Sequence, residues 1–137
     1  VRRRLDRLGL VVGAVHHLPH QVQPLAEALA ASQAELVMIL GGSATSDRAD
    51  VAPAAVVAAG GQIERFGMPV DPGNLLFLGQ IGARRVVGLP GCARSPALNG
   101  ADWVLERLAA DGSRTGEAFT LSSVKGRPVG LIFGSYT

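Results

Sequence analysis

Leu36-Val-Met-Ile-Leu-Gly-Gly-Ser-Ala-Thr-Ser-Asp-Arg-Ala-Asp-Val-Ala-Pro53 decides the fold. Leu36 to Leu40 is a continuous apolar run of the kind that forms a strand buried on both faces. Gly41-Gly42 break it, where the absence of Cβ lets the backbone approach closely. Four small residues follow, Ser43, Ala44, Thr45 and Ser46, and then the carboxylates Asp47 and Asp50. An alanine-rich helix is expected from Val51 to Ala59, closed by Gly60-Gly61. Strand, glycine turn, small polar loop and helix start is the layout that receives an anion in an open α/β sheet. The same layout also serves as a plain tight connection.

Working outward, the other apolar segments repeat this rhythm. Leu10 to Val15 reads as a short buried strand, and His16 to His20 as a loop holding all three histidines. Val22, Leu25, Ala26 and Leu29 make one helical stripe within a helix from about Gln21 to Ser32. Gln62 to Met68 reads as a strand, Leu75 to Gln80 as a turn or two of helix, and Arg84 to Leu89 as a strand. Ser95-Pro96 then opens the last helix, which runs to about Ala110. Strands separated by helices predict an α/β fold: three layers, a mostly parallel sheet with helices on both faces. Residues 1–112 are expected to be one domain. Residues 113–137 form a tail that reads as a β-hairpin, with strands over 117–124 and 128–133.

Bulk properties narrow the function classes. The chain has 137 residues, the size of one domain, and is 47% hydrophobic, sufficient for a core. Net charge is only +2 and aromatics are 4%, so no base-stacking platform for nucleic acid is expected. Arg2, Arg3, Arg4 and Arg7 read as the solvated face of an N-terminal helix carrying Leu5 and Leu8. No apolar run reaches the ~18 residues of a membrane span, and no membrane partner is expected. The single cysteine, Cys92, cannot form an internal disulfide and fits a reducing cytoplasm.

Loops after parallel strands share one sheet edge. That edge is expected to gather residues 41–50, 69–74, 90–95 and the histidine loop. Asp47 and Asp50 read either as Mg²⁺ ligands that orient a phosphate, or as a turn residue and a helix cap. The loop is neither a Walker A motif nor Gly-x-Gly-x-x-Gly. Adjacent histidines in an extended segment point to opposite faces, so His16, His17 and His20 favour an anion over a metal site. Cys92 reads either as a thiol activated at a helix start or as a small buried residue.

Three ordered motifs carry a family resemblance. They are Gly41-Gly42-Ser43 with Asp47, Asp50-Val51 and Pro53, then Gly-Met-Pro-Val-Asp-Pro-Gly-Asn at 67–74, then Gly-Leu-Pro-Gly-Cys-Ala-Arg-Ser-Pro at 88–96. Together they resemble the molybdopterin-binding domain of molybdenum-cofactor biosynthesis proteins. The nearest branch is the one joined to a molybdenum-cofactor nucleotidyltransferase, where Asn-Gly-x-Asp-Trp-Val-Leu, present at 99–105, also fits. The resemblance covers about residues 1–110. It implies the fold of that family, here without its opening strand, and a chain that is one domain of a larger protein. It further implies binding of molybdopterin or molybdenum cofactor, with Mg²⁺, during biosynthesis or handover.

Carried over by position, Gly41, Gly42, Ser43, Ala44 and Thr45 would meet the phosphate. Asp47 and Asp50 would be catalytic and metal-binding. Pro72, Gly73, Asn74, Pro90, Gly91, Cys92, Arg94 and Ser95 would wall the pocket. Cys92 and His20 stand where the family has asparagine and, in many members, aspartate. The implied partners are a pterin-phosphate small molecule, a nucleotidyltransferase domain and a second copy of the chain. If the chain is an enzyme, it would be a molybdopterin adenylyltransferase or a molybdate insertase. A regulatory or interaction module that keeps the fold without the ligand is the third class.

Overall fold

The computed structural model describes residues 1–111 and 128–135. Its elements in chain order are α1 (Arg2–Arg7), β1 (Val11–Pro19), α2 (Val22–Ala31), β2 (Leu36–Leu40), α3 (Val51–Ala58), β3 (Gln62–Phe66), β4 (Phe77–Ile81), β5 (Arg84–Leu89), α4 (Gly100–Asp111) and β6 (Pro128–Ser135). The strands form one mixed six-stranded sheet in the order β1-β6-β2-β5-β4-β3. β1, β6, β2 and β5 are parallel neighbours. β4 runs antiparallel to both β5 and β3.

The two sheet faces carry separate cores because successive side chains point to opposite sides of a strand. Met38 and Leu40 of β2 join Val87 and Leu89 of β5 beneath Leu5 of α1 and Ala101 and Leu105 of α4. Val37, Ile39 and Val86 face the other way, against Leu25 and Leu29 of α2 and Ala52, Ala55 and Val56 of α3. The helices therefore cover both faces of an α/β sheet.

Several elements differ from the sequence reading. Residues 77–81 are a strand, not helix. Phe77, Gly79 and Ile81 are buried at a period of two. Gly82, with φ 57°, turns the chain directly into β5. A positive φ at the first turn position suits a two-residue hairpin. Phe77 lies across from Gly88 in the ladder, and a Cβ on Gly88 would sit inside the Phe77 ring. The glycine in β5 thus makes room for a fully buried aromatic.

His16 and His17 belong to β1, which continues to Pro19 and pairs with β6 along its length. The last helix begins at Gly100 rather than Ser95. Residues 91–94 instead form a short 3₁₀ turn. Asn99 and Asp102 explain the later start. Asn99 Oδ1 accepts from the Ala101 N–H at 2.8 Å, and Asp102 Oδ2 accepts from the Asn99 N–H at 2.9 Å. This reciprocal pair satisfies two amides at the helix start in the manner of a capping box.

The tail strand also lies elsewhere than expected. β6 runs inside the sheet, parallel to β1 on one side and β2 on the other. β6 is therefore an interior strand of the sheet rather than part of a separate tail. The first expected hairpin strand, 117–124, lies outside the described residues. Among the described residues no helix is long and apolar enough to cross a membrane.

Candidate functional site

β2 and β5 are parallel and adjacent, so the turns after Leu40 and Leu89 emerge side by side at one sheet edge. Arg94 ties them together: its Nη2 donates to the Gly41 carbonyl at 2.8 Å. β4 is antiparallel, so the 71–74 turn that leads to it opens at the same edge. That turn packs on the start of α4. Gly100 N–H donates to the Pro72 carbonyl at 2.8 Å, and Asn99 Nδ2 donates to the Cys92 carbonyl at 3.3 Å. The three expected loops are thus joined in the order 41–50, 90–95, 71–74 through the segment 92–100.

In the first loop, Gly41, Gly42 and Thr45 are buried, while Ser43 and Ala44 are exposed. Ser43 Oγ lies 3.1 Å from His20 Nε2. His20 follows β1, two strands away from β2, so the turn after β1 reaches over β6 to the glycine loop. Arg48 stands over the Phe66 ring with its guanidinium carbon 5.7 Å from the centroid.

Asp47 is the turn residue that one reading of the sequence expects, whereas Asp50 is not the expected helix cap. Asp50 occupies the N-cap position of α3, yet its side chain makes no cap bond to the helix. Its Oδ2 turns back to accept from Ser46 N–H at 2.7 Å and Asp47 N–H at 2.9 Å. Pro53, at the third helical position, has no N–H to offer, and the carboxylate takes the loop amides rather than the remaining Ala52 N–H. The backbone N–H groups of Asp47 and Ser46 hold the Asp50 carboxyl below its ordinary range. Asp47 Oδ1 accepts from Ala49 N–H at 2.7 Å, a local turn. One oxygen of each carboxylate is therefore engaged by the loop's own backbone. Among the described residues no group of three His, Cys, Asp or Glu side chains is arranged to hold a metal.

In the third loop Pro90 is buried and Gly91, Cys92, Arg94 and Ser95 are exposed. An exposed Cys92 sets aside its reading as a small buried residue. In the second loop Gly73 is buried, while Pro72 and Asn74 are exposed. Gly73 has φ 121°, and a Cβ there would lie 2.6 Å from Gly100 N. Only glycine fits this approach of two backbones.

Arg4 is the residue that sequence reasoning misses. The arginine cluster reads as a solvated face, but Arg4 is 5% exposed. Its guanidinium pairs with Asp102 and donates to the carbonyls of Ala93 and Ser95 at 2.8 Å and Ala97 at 2.6 Å. A planar fork of donors suits such convergent carbonyls. Burial pushes the Asp102 carboxyl up, but the hydrogen bonds from Arg4 and from the Asn99 N–H outweigh it and hold it below the ordinary range. The sequence does hold a signal: Arg4 lies three residues after Val1 and four before Leu8, on the apolar stripe of α1.

A cleft of about 640 Å³ opens between α1 and residues 94–96. Arg2, Arg3, Arg4, Asp6, Arg7, Arg94 and Pro96 border it.

Comparison with known proteins adds no relative. No family model matches the chain, and no curated protein and no solved structure matches it.

Proposed function

We propose that this chain binds molybdopterin or molybdenum cofactor through its phosphate, during cofactor biosynthesis or handover in the cytoplasm. On this reading the sheet has the molybdenum-cofactor biosynthesis fold without its opening strand. The observation that carries the proposal is the junction at Gly41. There a buried glycine pair, the Ser43 hydroxyl beside His20, and the Arg94 guanidinium converge at the sheet edge that also holds the 71–74 and 90–95 loops. An anion at that edge meets backbone N–H groups and a positive helix start, with one charged donor beside them.

Binding is favoured over turnover. Adenylyl transfer depends on positioned charge around the phosphates. Asp47 and Asp50 each commit an oxygen to the loop's own amides. The only lysine in the sequence is Lys125, in the tail. A Mg²⁺ ion beside this loop would be held through the remaining carboxylate oxygens, since Mg²⁺ commonly takes one or two carboxylates next to a phosphate. It would screen the phosphate's charge.

Titration of the purified chain with molybdopterin tests the reading. Saturable binding is expected, and Arg94→Ala should weaken it by about 1–3 kcal/mol, the range for removing a charged hydrogen bond. Bound cofactor should also protect the exposed Cys92 thiol from alkylation. Equal alkylation with and without cofactor would remove the 90–95 loop from the site. Incubation with ATP and Mg²⁺ should release no pyrophosphate; sustained release abolished by Asp50→Asn would make the chain an adenylyltransferase instead.

A further inference from the structure

The cleft between α1 and residues 94–96 lies beyond the glycine loop and has a different character. Five arginines border it, Arg2, Arg3, Arg4, Arg7 and Arg94. Arg4 lines it and commits four of its five N–H groups to one carboxylate and three carbonyls. Arg7 is exposed and sits 4.0 Å from Asp102, a distance at which it shares that carboxylate with Arg4. Arg2 and Arg3 are exposed, and among the described residues neither has a carboxylate in ion-pairing range. Counting Asp6 and Asp102 as the local acids leaves an excess of three positive charges.

We infer that this cleft is a polyphosphate-binding subsite. It would take the phosphate chain of an inorganic polyphosphate or of a nucleoside triphosphate. A volume of about 640 Å³ exceeds what one phosphate fills and lies in the range of small-molecule sites. Guanidinium groups spread along it suit several linked phosphates, each of which accepts paired N–H donors. Among the described residues no aromatic ring lines the cleft to receive a base. Recognition therefore rests on the phosphates. Arg94 borders this cleft and also holds Gly41, so the subsite touches the glycine loop through one side chain. The inference does not rest on the pterin reading, because it uses side chains of α1 that the glycine loop does not.

Calorimetry on the full chain at low salt tests it, with tripolyphosphate, orthophosphate, ATP and a dT20 oligonucleotide as probes. Tripolyphosphate should bind saturably and at least about tenfold more tightly than orthophosphate. The double variant Arg2→Ala/Arg3→Ala should weaken it by roughly a hundredfold, about tenfold for each guanidinium removed. Both residues are exposed, so the variant should keep the wild-type melting temperature. Arg2→Lys/Arg3→Lys should recover part of the affinity. ATP binding as tripolyphosphate does would mean that the phosphate chain alone is read. Tighter ATP binding would make a nucleotide the ligand. Three results would overturn the inference: tripolyphosphate no tighter than orthophosphate, a double variant that binds like wild type, or binding of dT20 without binding of tripolyphosphate. Ser43→Ala separates the two sites, since it should act on molybdopterin titration and leave tripolyphosphate binding unchanged.

Discussion

Two neighbouring corners of this molecule use the same kinds of side chain in opposite ways. At the start of α4, Arg4 and Asp102 are shut away from solvent, and the arginine holds three carbonyls of the 93–97 loop. At the start of α3, Asp50 is half-buried on its loop and accepts from the Ser46 and Asp47 amides behind it. The first corner is braced by long-range partners, from a helix 98 residues away in sequence. The bonds of Asp50 are all local, while the same loop is anchored at its start by Arg94 at Gly41 and His20 at Ser43. The difference teaches where the adaptable part of the sheet edge lies. The 93–102 corner is a fixed wall, and the largely exposed 46–50 segment, held by local bonds, is the part that a ligand can reshape at small cost.

The largest expected effect tests the wall. Arg4→Ala leaves the Asp102 carboxylate buried without its partner, and breaking one side of such a pair costs about 3–5 kcal/mol. Urea unfolding should read that loss. Arg4→Met combined with Asp102→Leu should cost less than Arg4→Ala alone, because no charge is then stranded. A loss below about 1 kcal/mol for Arg4→Ala, the size of a surface pair, would make the two corners equivalent. Next in size is Gly73→Ala, which forces a Cβ to within 2.6 Å of Gly100 N at φ 121°. Backbone on both sides cannot yield cheaply, and strain of this kind costs roughly 1–3 kcal/mol. Gly60→Ala is its control: φ is 82°, but nothing lies within 4 Å of the added Cβ. Only the conformational penalty should appear there, roughly 1–2 kcal/mol.

Acid gives a third and smaller separation. Asp102 titrates below the ordinary range in the folded chain, so the unfolded chain binds its proton first as pH falls. Its contribution is complete above the unfolded carboxylate value, near ~3.9, and is lost as pH drops through the lower folded value. Unfolding free energy should therefore be level toward neutral pH and fall in the acid range. Asp102→Asn should be less stable toward neutral pH and have a shallower acid slope, so that the gap to wild type closes as pH falls. An identical slope would mean that other carboxylates carry the acid dependence.

Much of the frame is legible in the residues themselves. β2, β5, α2 and α3 announce themselves because each is an apolar run of the right length with glycine or proline at or near its ends. The shared edge of the 41–50 and 90–95 loops follows from two such strands being parallel. Leu75 to Leu78 misleads because four successive apolar residues have no period; only the alternation of Phe77, Gly79 and Ile81 marks a strand. The place of β6 is out of reach for a different reason. Local pattern shows that 128–133 is strand-like, but nothing local says which two strands will flank it. Arg4 and Asp102 are within reach of sequence reasoning. Each puts a charge on an apolar helical stripe, Arg4 with Val1 and Leu8, Asp102 with Leu105 and Ala109. Opposite charges on two buried stripes point to each other.

The smallest expected effect concerns the segment held by local bonds. The Asp50 side chain makes no cap bond to α3, so its replacement should hardly touch the helix. Its carboxylate is instead the acceptor for the Ser46 and Asp47 N–H groups. Asparagine keeps a side-chain oxygen at that reach, whereas alanine has none. Both Asp50→Asn and Asp50→Ala should therefore melt within error of wild type, because both bonds are open to water that can replace them. The local readout should split the two variants. Amide hydrogen exchange at Ser46 and Asp47 should stay slow in Asp50→Asn and speed up in Asp50→Ala. In the wild type the same amides should lose protection only when acid protonates Asp50, below the ordinary carboxylate range, because those two N–H groups are what depress it. A drop in melting temperature for Asp50→Ala as large as that for Arg4→Ala would show that the loop is tied to the core after all. The contrast between a fixed wall and an adaptable loop would then collapse.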